Sequence, residues 1–276
     1  MAGVMRVGVA GCGRMGLPMA RALLGAGFDV RGFDIRPVHE FDDFAPRMVP
    51  DPAVFAAHPQ VLFTVVRDQR QTEDLLFDDQ ALLSRDHDIR ILAVSSTLSP
   101  RYVHDLARRL PEGISMVDAP MSGAAVAAEQ RRLSFMLGGA EEDLAALDPM
   151  LRAMGTKFHR MGGLGKGMTA KVLNNFVAVS SVASVRTALG WADRLGVDEA
   201  RLLALMHDSS GQTWIGSCFN EIEFARDGYD PENTIGILEK DVESALDALE
   251  SEDRKGLPEA VIDVIQALTP RPKPGG

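Results

Sequence analysis

The first half of the chain alternates short apolar runs with stretches of helical periodicity. The runs that are typical of β-strands lie at 6–10, 29–33, 61–66, 89–94, 114–118, 133–137 and 157–161. Most of them are apolar almost throughout, as strands are when both faces of their sheet are covered. Between them, apolar residues recur at helical spacing in 15–26 and 141–154, and Ser99-Pro100 is a typical helix start. The alternation predicts an α/β domain with a doubly wound, mostly parallel sheet.

The second half has a different pattern. No strand is predicted after Gly167, and residues 169–195 form one long helical stretch without proline. Further helices are predicted at 198–207, 219–226, 235–249 and 258–268. The glycine-rich segment before Gly167 therefore separates an N-terminal domain, 1–163, from an all-α C-terminal domain, 164–276, which begins with a long interdomain helix. The tail 269–276 is rich in Pro, Gly and Lys, and we expect it to fray.

Composition and charge narrow the classes of partner. The 39 acidic and 29 basic side chains give a net charge of −10, which disfavours nucleic acid and anionic membranes as partners. Hydrophobic residues make up 46% of the chain, enough for a globular core. The two cysteines and six histidines show no spacing typical of a metal site or a disulfide framework. No run approaches the roughly 18 apolar residues of a membrane span. We therefore expect a cytoplasmic protein that binds no metal, membrane or nucleic acid.

One glycine-rich loop indicates a ligand. The segment Gly11-Cys12-Gly13-Arg14-Met15-Gly16 has the G-x-G-x-x-G pattern and stands between a predicted strand and a predicted helix. There, Gly11 permits a tight turn, Gly13 lets the backbone approach a pyrophosphate, and Gly16 lets helix and strand pack closely. The helix N-terminus offers N–H groups and partial positive charge to the anion. This context predicts a Rossmann dinucleotide-binding domain, with Gly11, Gly13, Arg14, Met15 and Gly16 at the cofactor.

A carboxylate follows the second predicted strand. Asp34 stands 34 − 16 = 18 residues after the last glycine of the loop, where an acidic side chain accepts hydrogen bonds from the adenosine ribose. The same charge repels a 2′-phosphate, so we expect NAD to be preferred to NADP. Arg36 keeps NADP open as a cofactor, because an arginine at this point can contact a 2′-phosphate.

Four segments, in order along the chain, resemble motifs of the β-hydroxyacid dehydrogenase family, which includes 3-hydroxyisobutyrate and L-threonate dehydrogenases. They are the glycine loop continued to Ala20, Asp118-Ala119-Pro120-Met121-Ser122-Gly123-Ala124, the segment from Gly163 to Asn175, and Lys240-Asp241-Val242. The resemblance covers nearly the whole chain. Four motifs in the family's order are more specific than any one of them.

The resemblance implies an NAD(P)-dependent oxidoreductase that oxidises a short 3-hydroxy acid or reduces the corresponding semialdehyde. Its catalytic residues would be Lys171, as the general acid/base, and Asn175, which orients the lysine and the substrate oxygen. These two residues are four apart on one predicted helix and therefore share a face. A lysine that is partly desolvated beside other cations has a lowered pKa, which suits proton exchange with a hydroxyl.

The remaining site residues also follow from the resemblance. It places Ser122, Gly123, Ala124, Asn174 and Trp214 at the substrate, and Val65, Val66, Thr97 and Lys240 at the cofactor. Lys240 has a second interpretation, an ion pair with Asp241 or Glu239, and Trp214 has one as a core residue. Ala124 departs from the family, which has glycine there, and its methyl group leaves the identity of the substrate open.

Two other functions are compatible with this architecture. One is an imine reductase-like activity, although those enzymes usually have another residue at the position of Lys171. The other is a dinucleotide-sensing protein without turnover. Whatever the activity, we expect a homo-oligomer in which the all-α part provides a subunit interface. The family suggests a dimer or tetramer, and the long helix with Val177, Val179, Val182 and Val185 has more apolar surface than one small domain readily covers.

Overall fold

The computed structural model of the chain describes residues 5–273. The chain divides into two compact units, Met1–Lys171 and Val172–Gly276. The domain boundary expected after residue 163 lies before this division, which falls inside the long helix. The outer ends of the two expected domains, at 1–4 and 274–276, and the end of the expected frayed tail lie outside the described residues.

The first unit contains a mixed sheet and the helices that connect its strands. The strands are β1 Arg6–Ala10, β2 Asp29–Phe33, β3 Val61–Thr64, β4 Ile91–Val94, β5 Ser115–Asp118, β6 Met121–Ser122, β7 Leu133–Gly138 and β8 Gly155–Gly162. The helices are α1 Gly16–Gly25, α2 Pro52–Ala56, α3 Gln69–Leu76, α4 Pro100–Arg109, α5 Ala124–Glu129 and α6 Glu141–Met154. Two 3-10 segments, Val38–Arg47 and Leu82–Ser84, complete the unit. The start of α4 follows the expected rule, because Ser99 Oγ accepts the backbone N–H of Arg101 at 3.1 Å.

The sheet begins as a parallel one, in the order β2-β1-β3-β4-β5. Its central strands are buried because helices and loops cover both faces, which explains their nearly continuous apolar sequences. β1 pairs with β2 on one side and with β3 on the other, so the direction in which successive connections move across the sheet reverses at β1. Ligands of such sheets bind at the carboxyl ends of the strands beside this switch point.

The sheet changes direction at β7. This strand pairs antiparallel with β5 through Asp118 and Gly138, and with β6, which continues the line of β5. The mostly exposed β8 then pairs parallel with β7. The expected fold class, a doubly wound and mostly parallel Rossmann sheet followed by a helical part, is confirmed.

The helix α7, Lys166–Leu195, begins in the first unit and continues into the second. The second unit further contains α8 Glu199–Asp208, α9 Trp214–Ser217, α10 Thr234–Leu246, α11 Leu257–Gln266 and a 3-10 segment, Ser251–Arg254. Its core includes Val179, Val182 and Val185, so three of the four valines expected to present apolar surface pack within the unit itself.

Two expectations for this unit are wrong. The segment 219–226 forms successive turns rather than a helix, and its apolar side chains still reach the core. The tail does not fray between 269 and 272. The buried guanidinium of Arg186 donates to the Thr269 carbonyl at 2.5 Å, and Arg271 forms ion pairs with Asp193 and Glu199.

Candidate active site

The glycine loop leaves β1 at the switch point of the sheet. Gly11 has φ +89°, and a Cβ there would lie 2.5 Å from the Val65 carbonyl oxygen, so both conformation and space require glycine. A Cβ on Gly16 would collide with the Gly11 carbonyl, whereas Gly13 faces open space. Within α1, no acidic residue occupies the first turn and Met15 provides no side-chain cap. The loop is therefore shaped to admit an anion to the start of α1.

The residues after β2 are connected to this loop. Asp34 accepts the backbone N–H and the Nε–H of Arg36, each at 3.1 Å, and the Arg36 guanidinium also donates to the Cys12 carbonyl at 2.8 Å. The same guanidinium lies 4.7 Å from the ring centroid of Phe41. Asp34 and Arg36, the two side chains predicted to determine the choice between NAD and NADP, are thus held together beside the glycine loop.

The ends of β3 and β4 complete the same edge. The backbone N–H of Val65 donates to the Ala10 carbonyl at 2.8 Å, and that of Val66 donates to the buried Ser96 Oγ at 3.0 Å. Thr97 directly follows Ser96. The structure therefore brings the predicted cofactor residues of the first unit to one edge of the sheet.

The predicted substrate loop follows β5. Ser122 lies in β6, and both Gly123 and Ala124 have positive φ, 134° and 54°. A Cβ on Gly123 would lie 2.5 Å from the Cβ of Ala127, so this position also requires glycine. Ala124 is one of the few described residues other than glycine with positive φ, and this conformation is strained for a side chain.

Asp118, at the end of β5, is fully buried and connects this strand to α7. Its Oδ1 accepts the backbone N–H of Gly165 at 2.7 Å, and its Oδ2 accepts that of Met168 at 2.6 Å. Burial raises the pKa of the Asp118 carboxyl above its ordinary value, and the two N–H donors only partly offset this. Lys171 follows Met168 by three residues on α7 and is buried, with 8% of its surface exposed.

In the second unit, Asn175 belongs to a short polar chain. Its Nδ2 donates to Asp241 Oδ2 at 2.6 Å, and the other oxygen of this buried carboxylate pairs with Lys240 Nζ at 2.9 Å. The ion-pair interpretation of Lys240 is thereby realised with Asp241. The exposed Asn174 donates to Asn175 Oδ1 at 3.4 Å.

Trp214 is half exposed and is not a core residue. Its ring lies 6.3 Å from that of Phe224, and with Gln212, Thr213 and Ser217 it lines a concavity of about 320 Å³. Among the described residues, no group of three or more His, Cys, Asp or Glu side chains could hold a metal ion.

Comparison with known proteins identifies the family. Residues 6–163 match the model of the NAD binding domain of 6-phosphogluconate dehydrogenase. Residues 165–268 match that of the NAD-binding region of NADP-dependent 3-hydroxyisobutyrate dehydrogenase. The chain belongs to the β-hydroxyacid dehydrogenase family. As a β-hydroxyacid dehydrogenase it is an NAD(P)-dependent oxidoreductase, as the resemblance implied.

Similarity to individual β-hydroxyacid dehydrogenases supports this assignment. The chain is 31% identical to the L-threonate dehydrogenase of Cupriavidus necator, over 87% of this chain and 82% of that protein. It is 31% identical to the mitochondrial 3-hydroxyisobutyrate dehydrogenase of Bos taurus, over 83% and 69% of the two chains.

Solved structures show the same fold. A 3-hydroxyisobutyrate dehydrogenase from Salmonella typhimurium has a TM-score of 0.80 at 24% identity, covering 95% of this chain and 93% of its own. One from Mycobacterium tuberculosis has a TM-score of 0.75 at 26% identity, with coverage of 96% and 97%.

Two buried carboxylates in the motifs of this dehydrogenase make long-range contacts that the sequence does not predict. Asp118 accepts backbone N–H groups at the start of α7, and Asp241 accepts Asn175 Nδ2 in addition to its ion pair with Lys240. A signal was present for each, because an acidic residue stands at the end of a buried strand in one case and beside Lys240 in the other.

Proposed function

We propose that this chain oxidises a short 3-hydroxy acid, or reduces the corresponding semialdehyde, with NAD and with Lys171 as the general acid/base. The observation that carries the proposal is the burial of the Lys171 side chain on a helix whose first turn is fixed to the carboxyl edge of the nucleotide-binding sheet. Lysine is almost never fully buried unless its charge is paired, so Lys171 is a group held at this edge and not a solvated surface charge.

Lys171 would act on the proton of the substrate hydroxyl. The nicotinamide, when bound, accepts or returns the hydride. In the oxidative direction the neutral Lys171 amine takes the hydroxyl proton while the C–H bond of the same carbon breaks, and in the reductive direction its ammonium group returns that proton. Asn175 supports this step, because Asp241 fixes its Nδ2 and so sets the direction of its Oδ1, four residues along the helix from Lys171.

The substrate would be a small carboxylate. Ser122 and the backbone N–H groups of Gly123 and Ala124 are the proposed carboxylate contacts. The half-exposed Trp214 and the polar side chains of its concavity suit a hydroxylated carbon chain, which favours a threonate-like acid over an apolar one. The similarity to an L-threonate dehydrogenase points the same way.

NAD is the proposed physiological cofactor. Asp34 stands where it would repel a 2′-phosphate, and Arg36 is held by Asp34 and the Cys12 carbonyl. We expect kcat/KM with NAD to exceed that with NADP, and Asp34→Ala to narrow this difference because it removes the repelling charge and releases Arg36. A wild-type preference for NADP would contradict the assignment.

We further propose a homo-oligomer, a dimer or tetramer, in the cytoplasm. Four large apolar side chains on α7 are exposed: Leu173, Val177, Trp191 and Leu195. By its length and mean hydropathy, α7 also qualifies as a helix that could span a membrane, contrary to the expectation from uninterrupted apolar runs. A second copy is the proposed cover for these side chains. Light scattering after size exclusion tests this, and a monomer at micromolar concentration would contradict it.

A screen of substrates tests the reaction class. NADH and NADPH formation is followed at 340 nm with 3-hydroxyisobutyrate, glycerate, threonate and sulfonated analogues, and cyclic imines are assayed in the reductive direction. Turnover of a hydroxy acid is expected. Reduction of imines without turnover of any hydroxy acid would favour the imine reductase, which has support only from likeness of fold, at 16% identity and a TM-score of 0.65. Tight NADH binding with no turnover would favour the dinucleotide sensor.

A further inference from the structure

The first turn of α7 is attached to two neighbouring strands of the sheet. Both Asp118 carboxylate oxygens, at the end of β5, accept backbone N–H groups of this turn, at 2.7 and 2.6 Å. In addition, the backbone N–H of Leu98, beyond the end of β4, donates to Met168 Sδ at 3.3 Å. The turn that precedes Lys171 is therefore joined to the strand ends that lead to Thr97 and to the Ser122 loop.

The backbone of this turn also lies unusually close to the sheet. A Cβ on Gly167 would come within 2.5 Å of the Met136 carbonyl oxygen and 2.8 Å of the Gly138 nitrogen. A Cβ on Gly138 would in turn lie 2.7 Å from the Gly167 nitrogen and 2.5 Å from Asp118 Oδ1. Glycine at both positions permits the approach, and the Asp118 carboxylate occupies the space that their missing side chains leave. The position of the turn is thus set by direct contact as well as by hydrogen bonds.

We propose that Asp118 is a positioning residue for Lys171: it fixes the axial position and the rotation of the first turns of α7 relative to the substrate loop. This inference rests on the proposed function of Lys171. A helix transmits a displacement of its first turn to the next one, about 4.5 Å further along for three residues. Because a misplacement of about 1 Å at a reacting group can cost about a hundredfold in rate, a fixed first turn has a catalytic value beyond that of a helix cap.

The carboxylate is specifically suited to this task. Two oxygens that both accept can satisfy two backbone donors, whereas an asparagine would direct its NH₂ group at one of them. Asp118→Asn should therefore keep the volume and loosen one attachment. We expect kcat to fall about 10- to 100-fold, and KM and the Kd of NADH to change less than about threefold.

A matched control separates positioning from capping in general. Asp51, exposed at the start of α2, also accepts two backbone N–H groups, from Ala53 at 2.8 Å and Val54 at 3.1 Å, but both reach the same oxygen, Oδ1. Asp51→Asn makes the same substitution at a helix cap and keeps an oxygen for both donors, so we expect its kcat to stay within about twofold of wild type.

A double-mutant cycle is the decisive experiment. Asp118→Asn is made in the wild type and in Lys171→Ala, and each rate is expressed per NADH-binding site. The substrate is 3-hydroxyisobutyrate or threonate, with and without deuterium at the reacting carbon. If Asp118 acts through Lys171, its effect shrinks to less than about twofold in the Lys171→Ala background. In the single variant the deuterium isotope effect on kcat equals or exceeds that of the wild type, because the chemical step has become slower. An equal loss in both backgrounds, or an isotope effect below that of the wild type, would overturn the proposal.

A second pair of variants keeps the test informative if Asp118→Asn does not fold. Gly167→Ala displaces the same turn, whereas Gly190→Ala lies on the same helix with nothing within 4 Å of the added Cβ. We expect the lower kcat for Gly167→Ala alone, and equal kcat values for the two variants would overturn the inference. Wild-type turnover by Lys171→Ala would instead overturn the proposed function, an outcome that is independent of Asp118.

Discussion

The strained alanine in the substrate loop leads to a quantitative prediction. Ala124 has φ 54°, a left-handed conformation that costs an L-residue about 1–2 kcal/mol and glycine nothing. Ala124→Gly relieves this strain but adds freedom to the unfolded chain, at a cost of about 0.4–1 kcal/mol. The net stabilisation lies between about 0 and 1.6 kcal/mol and is centred on about 0.8 kcal/mol, which corresponds to about 2–3 °C in Tm. Calorimetry or a urea titration measures it.

A second alanine in the same conformation provides the control. Ala81 has φ 48° and lies outside the predicted substrate loop, so Ala81→Gly should stabilise the protein by a similar amount. Only Ala124→Gly removes a methyl group beside the proposed carboxylate contacts. We therefore expect it alone to raise kcat/KM for threonate relative to 3-hydroxyisobutyrate, by about 2- to 10-fold. A destabilised Ala124→Gly, or the same substrate ratio in both variants, would refute the reasoning.

Three further predictions concern buried or partly buried groups. Burial and the nearby Asp34 carboxylate raise the pKa of Cys12 to about 12, so a thiol reagent at pH 8 should modify Cys218 alone until the protein is denatured. Burial favours the neutral form of Glu199, but its two arginine partners outweigh this and hold its pKa below the ordinary value. Glu199→Gln should thus cost about 2 kcal/mol at pH 7, and the difference from wild type in urea titrations should vanish as the pH falls through that depressed pKa. Arg186→Met leaves three carbonyls without their donor and should cost about 3 kcal/mol in the same assay.

Local patterns determined most of the fold that could be predicted. The central buried strands are apolar almost throughout, and a helix that follows them has a recognisable start at Ser99. Both failures depend on contacts between segments far apart in sequence. The tail is held by Arg186, 83 residues before Thr269. The segment 219–226 has the apolar content of a helix, but successive turns bury the same side chains.

The candidate site shows the same difference between local patterns, which the sequence predicts, and long-range contacts, which it does not. The glycine loop could be located from its motif, because each glycine answers a local steric requirement that the structure also has at Gly11 and Gly16. The contacts of Asp118 with Gly165 and of Asp241 with Asn175 are not predicted by the sequence, since the partners lie 47 and 66 residues away. A motif marks such a residue, but only the fold shows which helix it holds.

The most direct test of the account is the turnover of Lys171→Ala beside Lys166→Ala, which makes the same change on an exposed residue of the same helix. NADH formation at 340 nm is measured with the best hydroxy acid of the screen, and NADH binding is measured separately by fluorescence. We expect Lys171→Ala to lose about 10²- to 10⁴-fold in kcat and to bind NADH normally, while Lys166→Ala stays near wild type. A Lys171→Ala enzyme with kcat within about threefold of wild type would contradict it.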